Sequence, residues 1–183
     1  MGYNAEFLIG QNAPSNLPDA IADLEDASIV FLDRWGKGDV QRAGDVSKKA
    51  MVLLDFIVNE LLRECVERKG LGTYLNSQLA TEMSVLCGIG VTGTSLADQQ
   101  MMCQAGIGNG RVAAHLGSPE PITLAQLLNK VKHRNRHLIN FRIDNDRHIF
   151  VICPEHTSGG AEGIYEFDVE EFCEKCRSAT SAL

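Results

Sequence analysis

Between Thr123 and Ile152 the hydrophobic pattern changes period, and that change constrains the fold more than any other feature of the chain. Leu124, Leu127, Leu128 and Val131 recur at i, i+3, i+4 and i+7, the spacing of one helix face. Thr123 and Gln126 form a T-x-x-Q capping box that marks where this helix starts. From Ile139 the period drops to two. Ile139, Phe141 and Ile143 alternate, Asp144-Asn145-Asp146 supplies a turn, and Ile149 and Val151 resume the alternation, which predicts a β-hairpin.

Upstream the pattern is helical. Pro18 suits the first turn of a helix that carries Ile21, Leu24, Phe31, Leu32 and Trp35 to a break at Gly36-Lys37-Gly38. The longest helical signal runs from Val40 to Lys69, with an interruption predicted at Gly44, Asp45 as cap of its main part and Gly70 just past its end. Its apolar stripe, Leu53, Leu54, Ile57, Leu61 and Cys65 among others, marks it as central. Tyr74–Cys87 reads as a third helix, and Ser95–Ala105 as a short one opened by Ser95 and Asp98. A further turn of helix is predicted over 109–116. Residues 1–17 lack periodicity apart from a short strand predicted at Glu6–Ile9. After the glycine-rich 157–163, Ile164–Phe167 reads as a short strand, and Asp168 with Glu171 opens a last helix. These elements predict a mainly α single domain over residues 1–183. Its helical bundle covers 18–138, and 139–183 adds a small antiparallel hairpin or three-stranded sheet with a C-terminal helix, α+β by strict count.

A chain of 183 residues can bury a core without disulfides or metal. Its formal net charge of −7 confines any nucleic-acid contact to a local patch. No apolar run approaches the roughly 18–20 residues that span a bilayer. The N-terminus has neither the cationic start nor the apolar core of a signal peptide, and Glu6 stands where a myristoylation motif wants a small hydroxyl residue. A cytoplasmic protein with no membrane partner is the expectation, its six cysteines free thiols or ligands.

The local patch exists. Lys130, Lys132, Arg134 and Arg136 put four cations within seven residues, with His133 and His137 among them. At a helix end the dipole favours such charges, so a capped, solvated end is one reading. The other is a phosphate-binding surface, in which an imidazole near its pKa takes a proton and a guanidinium stabilises developing charge.

Cys153, His156, Cys173 and Cys176 form two pairs, each with a two-residue gap, a ligand set that fits tetrahedral zinc. Cys173 and Cys176 also share a helix face with Val169 and Phe172, so core cysteines are the plainer reading. Gly88-Ile-Gly-Val-Thr-Gly93 has the G-x-G-x-x-G spacing without the preceding strand or later acidic residue that a dinucleotide site needs, and reads as a loop. Glu60, Glu64 and Glu67 read as the wet side of a helix.

The segments SKKAMVLLDFIVNELL and HRNRHLINFRIDNDRHIFVI, a central apolar helix and a helix ending in an Arg-Asn-His run, resemble the HEPN superfamily. That resemblance implies a helical dimer that binds RNA or cleaves it without metal through an R-x4-6-H motif. On this chain it implies Arg134 as phosphate stabiliser, Asn135 beside it and His137 as base, with Lys130, Lys132, His133 and Arg136 on the nucleic acid. Only two residues separate Arg134 from His137, and the motif's spacing would put the histidine at Ile139 or later, so a non-catalytic RNA binder stays open. The alternative is a non-enzymatic interaction or small-ligand-binding domain, with or without a structural zinc.

Overall fold

A computed structural model describes residues 16–112, 116–155 and 163–183. The strand predicted at Glu6–Ile9 lies outside them, as do residues 113–115 of the turn predicted after Asn109, and His156.

Helix α1 (Leu17–Gly36) starts where Asn16 caps it and Pro18 fills its first turn. It packs along α2 (Val40–Gly70), which runs unbroken through Gly44 and is capped by Asp39 rather than Asp45. The left-handed residue after α2 is Gly72, at φ +71, not Gly70. Helix α3 is only Gln78–Met83, and the chain turns at once into strand β1 (Leu86–Thr92). The capping box of Ser95 and Asp98 opens α4 (Leu96–Gln104). Strand β2 (Glu120–Thr123) leads into α5 (Leu124–Lys132), whose Thr123–Gln126 capping box is present in both directions. Strands β3 (Arg134–Asp144), β4 (Arg147–Pro154) and β5 (Gly163–Asp168) follow, and Asp168 caps α6 (Val169–Ser181).

The five strands form one antiparallel sheet in the order β2-β1-β5-β4-β3. This corrects the expectation of a helical bundle with a small hairpin: the fold is α+β, with a five-stranded sheet as a full layer. The error lay in β1. Its sequence LCGIGVT is glycine-rich and looks like a loop, since glycine weakens strands. Here the glycines serve close approach. A Cβ at Gly90 would sit 2.2 Å from the Tyr165 ring, and one at Gly88 2.8 Å from the Glu166 carbonyl oxygen. Tyr165 lies across the space that Gly90 leaves, and no side chain larger than hydrogen fits beneath it.

The sheet divides the interior in two. On the inner face Ile152, Tyr165 and Phe167 join the buried sides of α1, α2, α3, α5 and α6 in the main core. On the outer face Val151, Cys153, Ile164 and Leu138 pack under Met102 of α4 in a second, smaller cluster. The alternation of strand side chains sends neighbours to opposite layers. Both edges of the sheet are exposed strands by topology. Strand β2 is short and carries Pro121, which blunts that edge. The β3 edge is long.

Candidate functional site

The long edge carries a recess whose walls are mainly apolar. It is a groove of about 680 Å³, within the roughly 300–1,000 Å³ range of ligand clefts. Met51, Val52 and Asp55 of α2 form one wall, Cys103 and Ile107 the other, and Ile139 and Phe141 of β3 lie along the floor. Val52 and Ile107 stand 56% and 74% exposed in its lining.

Hydrogen bonding shows which part of the edge is taken. Gly110 N–H donates to the Phe141 carbonyl at 2.9 Å, and Asn109 bridges to Arg142, so the glycine-rich turn 106–110 covers that end of β3. Asn140 holds the turn in place. Its amide donates to the Met102 and Gly106 carbonyls at 3.2 and 3.1 Å, and its oxygen accepts from Gly108 N–H at 3.2 Å and from Phe141 N–H at 2.8 Å. Since antiparallel strands point every second residue's backbone groups the same way, Ile139 also faces outward. Its carbonyl has only a long contact from the Cys103 thiol, 3.9 Å, among the described residues. From Arg134 to Ile139 the register slips, five steps on β3 opposing two on β4, and residues 135–138 bulge from the sheet.

The cationic run falls into three environments. Arg134 is buried. Its Nη1 donates to the Val131 carbonyl at 2.8 Å and pairs with Asp55 at 2.7 Å, tying β3 to α5 and α2. Its Nε finds no partner among the described residues. Lys130 lies over the Tyr165 ring, 4.9 Å from the centroid. Lys132, His133, Arg136 and His137 are exposed, and half-buried Asn135 accepts from the His137 N–H at 2.9 Å. Among the described residues no hydrogen bond joins Arg134, turned inward, to the outward His137.

Cysteines divide by sheet face. Cys153 belongs to the outer cluster, and Cys173 and Cys176 to the inner core. Ligand bonds to zinc are about 2.3 Å long, so one ion cannot reach all three across the sheet. Among the described residues no three His, Cys, Asp or Glu side chains converge as a metal-holding group. Burial pushes the thiols of Cys87, Cys153 and Cys173 up to about 12 and that of Cys176 well above its ordinary value, which keeps them protonated.

Two polar groupings went unnoticed in the sequence. Ser28 Oγ lies 2.9 Å from His148 Nδ1, joining α1 to β4. The imidazole stacks on Phe31 at 4.7 Å and meets Phe141 edge-on at 5.8 Å. Burial lowers its pKa to about 4, with nearby Asp168 opposing the shift. The Ser28–His148 pair lies between an apolar cavity of about 50 Å³ and a second of about 150 Å³ bordered by Glu25, Asp146 and Glu170, and it clasps helix to sheet. On the outer face Glu166 accepts from Arg142 at 2.7 and 2.9 Å and from Val112 N–H at 3.3 Å. Arg142 also donates to the Gly110 carbonyl at 3.2 Å, a second anchor for the turn. Arg147 pairs with Asp168 beside it.

No helix among the described residues is long and apolar enough to cross a membrane. Comparison of the chain with models of known protein families, with curated proteins and with solved structures gave no match.

Proposed function

We propose that this protein is a non-enzymatic interaction domain that takes an extended segment of a partner polypeptide into the groove along β3. The observation that carries this reading is an edge strand flanked by exposed aliphatic walls. Added strands gain main-chain hydrogen bonds from such an edge and side-chain specificity from the walls on either side. The turn 106–110 already pairs with one end of β3 through an isolated bridge, which supports this reading. The buried Asn140 and the Arg142–Glu166 pair hold that turn, so the groove keeps its shape before anything binds. Selection from a displayed library of random twelve-residue peptides tests the reading. Wild type should enrich a defined set that the exposed-site double variant Val52→Asp/Ile107→Asp no longer retains.

A second reading is RNA association, supported by the exposed Lys132, His133, Arg136 and His137 within six residues. Neutralising phosphates with these side chains would make affinity fall steeply with salt. Dimerisation belongs to this reading, since two protomers would share the site, and sedimentation measures it. Anisotropy of a labelled single-stranded oligonucleotide across a salt series tests binding. Incubation in chelator with wild type and His137→Ala tests cleavage, which must disappear in the variant if His137 is the base.

A further inference from the structure

Resting on the groove reading, we infer that its occupant is acidic as well as apolar: an extended peptide whose Asp or Glu pairs with Arg136 while branched or aromatic neighbours pack against Val52 and Ile107. The charge balance of the lining leads to this. Three ionisable side chains other than the thiol border the groove, Asp55, Arg134 and Arg136. Asp55 and Arg134 satisfy each other at 2.7 Å. Arg136 has no carboxylate partner among the described residues, and it is exposed at the open end. Lys132, His133 and His137 surround it in sequence and are exposed as well, beside the exposed Glu155 whose N–H donates to the His133 carbonyl, so cationic side chains outnumber that carboxylate on a chain of net charge −7.

The geometry suits a peptide better than a nucleic acid. The floor offers outward backbone groups at Ile139, which strand addition uses and a phosphate backbone does not. The walls offer the aliphatic Val52, Met51 and Ile107, and the aromatic rings of the lining, Phe141 and Phe150, are packed against Phe31, Trp35 and Phe167, where single-stranded nucleic acids look for free stacking surfaces. Because 106–110 closes the Phe141 end, an added strand must run from Ile139 toward Arg136. Alternate residues of that strand face α2 and Ile107 in turn, roughly 6.6 Å apart on each side. Apolar side chains therefore repeat every second position, with the acid near the end that reaches Arg136.

The same random-peptide library separates this inference from the reading beneath it. Peptides retained by wild type are sequenced and their affinities compared on Arg136→Glu and Arg136→Lys, both exposed-site variants whose melting temperatures serve as fold controls. The inference expects enriched Asp or Glu at a fixed offset from two apolar residues two positions apart. It expects affinity to drop roughly tenfold or more with Arg136→Glu, to survive largely in Arg136→Lys, and to weaken with salt. Groove-dependent peptides that are neutral or basic would overturn the acidic preference and leave the groove reading standing. An absence of peptides that depend on Val52 and Ile107 would overturn both. Oligonucleotide binding abolished by Arg136→Glu, with no peptide enriched, would assign the cationic end to nucleic acid instead.

Discussion

Arg134 and His148 are both taken out of water, and each answers the desolvation differently. The guanidinium is paired with Asp55, while burial lowers the pKa of the imidazole. Asp55→Asn would leave a buried cation without its counter-charge, and Asp55 is itself 39% exposed, so water softens the loss. The cost expected in denaturant unfolding is about 1–3 kcal/mol. For His148 the sign follows from linkage. The unfolded imidazole titrates at its ordinary 6.5 and the folded one at about 4, so between those values the unfolded chain binds more protons. This contribution is complete above pH 6.5 and is lost as pH falls, the loss reaching about 3 kcal/mol near pH 4. His148→Gln should flatten that part of the stability profile, measured by denaturant unfolding at several pH values. Thiol accessibility gives a third check. Cys103 is half-buried and the other five cysteines are buried, so brief alkylation of the native protein should yield one adduct, at Cys103. A rapid second adduct would contradict the burial described here.

Among the elements, β1 gives the sharpest contrast between glycines. Gly90→Ala forces a Cβ into the Tyr165 ring and should cost about 1–3 kcal/mol or prevent folding. At Gly72 the new Cβ meets open space, and only the left-handed backbone opposes it, so about 1 kcal/mol is expected there. Thermal unfolding of the two variants compares them directly. The sequence announced α5, α6 and the β3–β4 hairpin because each carries its own local signal: a capping box at Thr123, a cap at Asp168, and left-handed Asn145 and Asp146 between alternating runs. Strand β1 carries no such signal. Gly90 is explained by Tyr165, seventy-five positions later, and Gly88 by the backbone of Glu166, and no local window holds either pair. The same holds for Ser28 and His148, which are brought together only by packing α1 on the sheet. The cationic run was visible as composition, but only the structure turns Arg134 inward and leaves Arg136 out. Cys153 and the Cys173–Cys176 pair look like ligands of one ion in sequence, and the pleat of β4 sends Cys153 to the other face.

For the whole molecule, the sheet has one blunted edge and one long edge, and the long one is only partly covered. Natural sheets protect exposed edges with charges and bulges, and β3 has both, in Arg136 and the slip between Arg134 and Ile139. Those devices oppose uncontrolled edge pairing without filling the recess beside them. They do not call for Val52 and Ile107 to stay exposed. The inner core is built to hold this shape: Leu124, Leu127, Leu128 and Val131 of α5 are fully buried, and Leu127→Ala should cost about 2–5 kcal/mol. The central claim is that a partner chain adds to β3 at Ile139. Amide hydrogen exchange, read with and without a peptide selected on the wild-type groove, tests it most directly. The account predicts that the Ile139 amide becomes protected on binding while the amides of α6, which contributes nothing to the groove lining, stay unchanged. Peptide binding with no added protection at Ile139 would contradict it.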